Sequence, residues 1–410
     1  MQKLEVVATH MQKVLSDIKI LNKSSIDDLL TQLPLYYFDD NVIDYLNELS
    51  KELFKLNEIK AFPDLLTLAF FCRKANLIHL KNIYTDDLSI KIGRGLAFHV
   101  TPSNVPMNFA YSYIAGLISG NNNIVRVPSK EFKQVDLFFN ALNNLDQSTN
   151  FSSISNRTLF VKYDRNSNST EYFSSICDVR IIWGGDSTID LIRKNKIPAR
   201  SIDITFADRY SFSIINAKEY IEFNNKKSLA IGFFNDTYLF DQNACTSPQL
   251  VFWFGEDEDI LKAKELFWST LHEYVVDKYQ ISTITGVDKL TNYYSFKTHG
   301  IDSKVKVIDN FLWRIELETL PIDIDKYKGN SGYFFEFNID NLDQINPIIS
   351  QKYQTFAYFG FEKWLLNEFI LKNNFKGIDR VIPIGKTADF ALTWDGYNLI
   401  EHLTRSIQIL

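Results

Sequence analysis

The sequence predicts an α/β protein built on parallel sheet, and three observations lead there. From about residue 88 onward, short strand-like runs alternate with helical stretches. That alternation is the mark of β-α-β units, whose strands pair in parallel. The chain has 410 residues, which suits two domains. Its 45% hydrophobic and 14% aromatic content is ample for a large core.

The elements follow in order. Residues 1–85 read as a helical layer, with Leu29, Leu30, Leu33 and then Val42, Leu46, Leu49 at helical spacing. Ser89–Ile92 and Arg94–Val100 alternate as strands, and the second ends in Thr101-Pro102-Ser103-Asn104-Val105-Pro106. Met107–Gly120 reads as a buried helix closed by its glycine, Asn123–Val127 as a strand, and Pro128-Ser129-Lys130 as the start of another helix. Helix 135–145, strand 158–161, helix 169–176 and strand 179–183 continue the alternation. The last strand runs through Gly184-Gly185-Asp186-Ser187-Thr188 into a helix over 189–194. Strand 211–215 and a helix over 218–234 lead to Asp241-Gln242-Asn243-Ala244-Cys245-Thr246-Ser247-Pro248-Gln249. Beyond it come a long helix 258–279, a mixed region to about 330, strand 332–337, helix 341–350, strand 356–359 and helix 362–373.

Composition narrows the function. Net charge is −6 and no long basic stripe appears, which argues against nucleic acid as a main partner. No apolar run reaches the ~18 residues of a membrane span, and the N-terminus carries no signal core. Cys72, Cys177 and Cys245 form an odd, sparse set without CxxC. That points to a reducing, cytoplasmic setting and away from disulfides or a zinc cluster. The six histidines are scattered, so no metal site is expected.

Two segments carry candidate chemistry. Small polar neighbours around Cys245 leave its thiol reachable and supply N–H and hydroxyl groups that can tune it or hold an oxyanion. A lone cysteine is more often a buried structural residue, so this segment does not decide by itself. The Gly184-Gly185 turn lies between a strand and a helix, where backbone N–H groups can meet a phosphate. It is not GxGxxG, and such turns are mostly plain.

Four stretches in this order resemble the aldehyde dehydrogenase superfamily, and within it the LuxC-type acyl-CoA reductases, the fatty-acid reductases of bacterial bioluminescence. They are His99–Pro106, Ile124–Lys130, Trp183–Thr188 and Asp241–Gln249, with the tail Trp394–Ile400 also similar. The resemblance covers about residues 88–410. It implies a Rossmann-type cofactor domain, a second α/β catalytic domain and a small oligomerisation element. The expected boundaries are 1–85 for the helical part of the cofactor domain, 86–215 for the cofactor domain proper, 216–390 for the catalytic domain and 391–410 for a C-terminal oligomerisation or returning segment.

The resemblance also implies roles. Cys245 stands at the superfamily's nucleophile, and Asn104 at the asparagine whose amide binds the oxyanion. Thr101, Pro102, Ser103, Arg126, Pro128, Ser129, Lys130, Gly184, Gly185, Asp186 and Ser187 fall in the cofactor-binding segments. Two departures are informative. A water-activating glutamate of ordinary aldehyde dehydrogenases aligns with Phe206, with Asp208 two residues away if the register slips. The glutamate that holds the cofactor's ribose 2′-hydroxyl aligns with Lys130, near Arg126, which suits the 2′-phosphate of NADPH. The expected activity is reduction of an acyl-CoA or other acyl thioester to an aldehyde by NADPH. An oxidative aldehyde dehydrogenase and a non-redox acyl-transfer subunit are the alternatives. A homo-oligomer and an acyl-protein synthetase or acyltransferase partner are the expected assemblies.

Overall fold

Five-residue runs such as Leu96–Val100 and Val179–Trp183 are apolar but for His99 and Arg180, as suits strands covered on both faces. In the structure, a computed structural model, both are buried at every position. The structure describes residues 17–85, 90–103, 105–147 and 151–409. The chain forms two units, residues 1–207 with 390–410, and residues 208–389.

The first unit contains β1 (Lys19–Ile20), β2 (Ile90–Gly93), β3 (Leu96–Val100), β4 (Asn122–Arg126), β5 (Thr158–Lys162), β6 (Val179–Trp183) and β7 (Ile202–Phe206). Its main sheet has the order β1-β5-β4-β3-β6-β7, parallel except for β1. The chain steps outward from β3 to β5, then returns to the far side of β3 for β6 and β7. That reversal makes a switch point at the carboxyl ends of β3 and β6, the place where open α/β sheets bind ligands. Helices Asp40–Phe54, Asn108–Ile118 and Lys133–Asp146 cover one face, burying Leu46, Ile114 and Phe138 with Val125 and Phe160. Helices Ser169–Ile176 and Asp186–Arg193 cover the other, burying Phe173 and Ile189 with Phe98 and Ile124. Gly120 ends the helix Asn108–Ile118 in a left-handed conformation, φ +84°, while its carbonyl accepts from Leu35 N at 2.8 Å.

The second unit contains β8 (Tyr210–Asn216), β9 (Pro248–Phe254), β10 (Ser303–Val307), β11 (Trp313–Leu317), β12 (Tyr333–Ile339), β13 (Tyr353–Phe359) and β14 (Arg380–Pro383). The order is β10-β11-β12-β9-β8-β13-β14, parallel except for β10. Helices Ala217–Glu222, Lys226–Thr237 and Asp257–Lys278 cover one face, where Phe233, Phe267 and Trp268 meet Trp253 and Phe334. Phe296, Ile345, Leu366 and Phe369 cover Phe212, Phe252 and Phe356 on the other. The fully buried Glu336 carboxylate accepts from Trp253 Nε1 at 2.9 Å and pairs with Arg314, so its charge is compensated.

The tail returns to the first unit. It forms β15 (Thr393–Trp394), β16 (Tyr397–Asn398), helix Leu399–Leu403 and β17 (Thr404–Ile407), which pairs antiparallel with β2. Leu392, Trp394, Leu399, Ile400 and Leu403 join that unit's core.

Four sequence expectations change. The strand over 211–215, placed by sequence at the end of a cofactor domain 86–215, belongs to the second sheet because it pairs with β9 and β13. The helix expected from Pro128 begins at Lys133, after a bend. The helix over 218–234 is two, broken at Phe223-Asn224-Asn225, where Asn225 caps the second by accepting from Ser228 N. The helix over 341–350 is a 3₁₀ segment, Leu342–Ile348, containing Pro347.

Candidate functional site

The cysteine loop is built by two unusual residues. After the turn Tyr238–Phe240, Asp241 and Gln242 take φ +50° and +60°, a left-handed pair without glycine. Side-chain bonds hold this conformation in place. Gln242, 1% exposed, accepts at Oε1 from Gly332 N (3.1 Å) and Tyr333 N (3.0 Å), and its Nε2 donates to Pro248 O (3.0 Å) and Tyr333 O (2.9 Å). Gln249 Nε2 donates to Gln242 O at 3.0 Å, and its Oε1 accepts from Gly329 N at 2.9 Å. Two glutamines thus stitch the loop to the start of β12.

Cys245 lies three residues before β9, at the amino edge of a parallel sheet. Its carbonyl accepts from Ser211 Oγ at 2.6 Å, and Ser247 N closes the turn on Ala244 O at 2.9 Å. Cys245 is half-exposed, whereas Cys72 and Cys177 are buried. Burial pushes the Cys72 thiol well up and the Cys177 thiol up to about 12, so neither is a nucleophile near neutral pH.

The segments named for cofactor binding all follow the carboxyl ends of parallel strands of the first sheet: Thr101-Pro102-Ser103 after β3, Arg126–Lys130 at the end of β4, and Gly184–Ser187 after β6. Thr101 Oγ1 donates to Arg126 O at 2.6 Å, tying the first two together. Gly185 caps the helix Asp186–Arg193 and is exposed, and a Cβ placed there would meet nothing within 4 Å. Asp186 and Ser187 are exposed in that helix's first turn. This edge fits a dinucleotide: bare backbone at a helix start beside a switch point. Asn104 lies outside the described residues.

The two cations diverge. Arg126 shares the sheet face of Ile124, and its guanidinium stacks over the Tyr163 ring at 4.7 Å. Lys130 is exposed on the bend, 5.2 Å from the Phe132 ring, and Phe132 packs against the core of the opposite face.

Phe206 and Asp208 part as well. Phe206 ends β7 and stacks on Trp183, 3.7 Å between centroids and 17° between planes. Asp208 sits on the approach to β8 and pairs with Lys328 Nζ at 2.7 Å.

Sequence reasoning missed a buried network beneath the first sheet's switch point. His99 Nε2 lies 3.0 Å from Asn123 Oδ1, His99 Nδ1 lies 2.7 Å from Ser112 Oγ, and Trp183 Nε1 donates to Ser112 Oγ at 3.1 Å. A neutral imidazole protonated at Nε2 satisfies every member. Burial lowers the His99 pKa to about 4. The available signal was a histidine inside an otherwise apolar strand. Lys289, fully buried in the second unit, was also missed. Its low-amphipathicity helix gave no signal.

The chain matches the family described as Acyl-CoA reductase (LuxC) over residues 79–279. It is 24% identical over 324 residues to a long-chain acyl-protein thioester reductase of Photorhabdus luminescens, covering 77% of this chain and 63% of that protein. It is 23% identical over 325 residues to that of Aliivibrio fischeri, covering 77% and 64%. The match thus spans less than two thirds of these relatives. Among solved structures, aldehyde dehydrogenase 21 from Physcomitrella patens aligns with a TM-score of 0.63 at 11% identity, covering 90% of this chain and 85% of that one. The 1-pyrroline-5-carboxylate dehydrogenase of Thermus thermophilus aligns with a TM-score of 0.61 at 10% identity, covering 90% and 80%. At such identities these two share the fold. The order of the parallel strands, the loop bearing Cys245 and these matches converge: over residues 79–279 the chain is similar to the LuxC-type acyl-CoA reductases, and it shares the fold of the aldehyde dehydrogenases.

Proposed function

We propose that this protein reduces an activated acyl group, carried as a thioester, to an aldehyde through an acyl-cysteine at Cys245. The observation that carries the reading is the half-burial of Cys245 on a rigidly tied loop, against two buried cysteines. The Cys245 sulfur adds to the thioester carbonyl carbon, and the bond to the carrier sulfur breaks. The carrier leaves as a thiol with the proton. Backbone N–H groups of the loop and, by resemblance, Asn104 hold the oxyanion. A bound nicotinamide dinucleotide would supply the hydride that converts the acyl-cysteine to aldehyde and thiolate.

Phe206 and Asp208 support hydride rather than water as the attacker of the acyl-cysteine. A phenylalanine cannot take a proton from water. The Asp208 carboxylate is engaged by the Lys328 ammonium. NADPH is the proposed cofactor, with Gly184, Gly185, Asp186 and Ser187 near its phosphates. Lys130 or Arg126, which lie on different faces, would recognise the 2′-phosphate. Thr101, Pro102, Ser103, Pro128 and Ser129 shape the same edge. CoA or a protein thiol would carry the acyl group, delivered by an acyl-transferring partner, and the enzyme would work as a homo-oligomer.

Intact-mass measurement after incubation with acyl-CoAs, followed by NADPH, tests the whole sequence. Wild type should gain the acyl mass and lose it on reduction, while Cys245→Ala should do neither. Acylation and NADPH consumption by Cys245→Ala at the wild-type rate would sink the mechanism. For the cofactor, Lys130→Glu should weaken NADPH relative to NADH by about tenfold in calorimetry. An unchanged ratio would shift the role to Arg126.

A further inference from the structure

Behind the cysteine loop lies a charged group that the proposed chemistry does not use. Lys289, on the helix Thr283–Lys297, is 0% exposed. Its Nζ donates to Asn310 O (2.6 Å), Ser331 O (2.6 Å) and Gly332 O (3.5 Å). Among the described residues no carboxylate comes within ion-pair distance of it. An ammonium buried against carbonyls alone is costly, and removing it would leave those carbonyls unpaired.

The segment it grips is the one that holds the cysteine loop. Ser331, itself left-handed at φ +53°, donates its N–H to Asp241 O at 3.0 Å. The next two residues donate theirs to Gln242 Oε1. The Tyr279 hydroxyl donates to Asp241 Oδ1 at 2.5 Å and lies 3.0 Å from Ser331 Oγ. Three consecutive residues, 331–333, therefore clamp the two left-handed residues that start the turn toward Cys245, and Lys289 anchors the clamp from inside. Strained backbone of this kind persists only where its surroundings over-determine it.

We propose that Lys289 is a positioning residue for the nucleophile: through Ser331 and Gly332 it fixes the Asp241–Gln242 turn and so the direction in which Cys245 presents its sulfur. This rests on Cys245 being the nucleophile. Burial lowers the Lys289 pKa to about 7, against the raising effect of Asp309. The other titratable groups facing this clamp are Asp241, Tyr279 and Tyr238, with Asp309 in turn bonded to His272 Nε2 at 2.8 Å. Above that pH the head loses its charge and one of its three donors, and the clamp loosens.

The test is the rate of Cys245 alkylation by iodoacetamide from pH 6 to 9, read residue by residue by mass spectrometry on the full chain. Acyl transfer from acyl-CoA is measured in parallel. Lys289→Met, of similar length but uncharged, should slow both reactions about tenfold per folded molecule. NADPH affinity should stay unchanged. The wild-type profile should carry a titration near 7 that Lys289→Met lacks. Tyr279→Phe should show a smaller slowing, and the double variant should be no slower than the sum of both, since the two groups act on one segment. A folded Lys289→Met with the wild-type rate and profile overturns the proposal. If that variant does not fold, a wild-type rate in Tyr279→Phe overturns it instead. Acylation that survives Cys245→Ala would mean that the nucleophile assignment has failed, not the positioning role.

Discussion

His99 stabilises the fold as a neutral ring. Its ring accepts from Ser112 and donates to Asn123 only without a second proton, and Ser112 in turn receives the Trp183 indole. The unfolded ring titrates near 6.5, whereas the folded one holds off protonation to about 4. The unfolded state therefore binds more protons between these values. Stability is full above 6.5 and falls as pH drops toward 4, by about 2 kcal/mol at pH 5. Urea unfolding at pH 7.5 and 5 should show this loss in wild type and much less in His99→Gln, and equal losses would refute it. If hydride rather than water takes the acyl group from Cys245, Asp208→Asn should leave acyl reduction within about twofold, since that change removes only the pair with Lys328. Abolished turnover would restore the oxidative reading. Neither residue's partner was legible in the sequence: Ser112 lies on the next helix, and Lys328 is 120 positions from Asp208.

Strands were the legible elements, because runs such as Thr158–Lys162 and Val179–Trp183 are apolar enough to be buried on both faces. The hairpin of β10 and β11 was lost in a mixed region. Its Ser-Lys-Val-Lys-Val strand lies at a sheet edge, mostly exposed, and carries lysines that pair with Glu316 and Glu318. Helix ends were harder still, since a cap depends on backbone direction. The two helix-end glycines show the contrast. A Cβ at Gly120 would meet Leu35 O at 2.2 Å on a left-handed backbone, so Gly120→Ala should cost at least ~2 kcal/mol in thermal unfolding. Gly185 has open space, so Gly185→Ala should change stability by less than ~0.5 kcal/mol. If the dinucleotide phosphates sit there, the same change weakens NADPH binding, and unchanged affinity would move them elsewhere.

Two large sheets, one in each unit, are joined by a chain that passes once into the second unit and once back. The periodicity of the sequence announced repeated β-α-β units, but the divide at Ala207/Asp208 depends on which strands pair, which no local pattern records. Deleting residues 390–410 should expose the first unit, whose core loses Leu392, Leu399, Ile400 and Leu403, and spare the second. Limited proteolysis should then cut first within residues 17–207, and preferential cutting within 208–389 would contradict it. The returning tail also sets an order of birth. On the ribosome, every strand of the second sheet emerges before the last pieces of the first unit's core. The unit begun first is thus the one finished last. The helix Asn108–Ile118 must wait, its apolar side incomplete, while the cysteine-bearing half can already have closed.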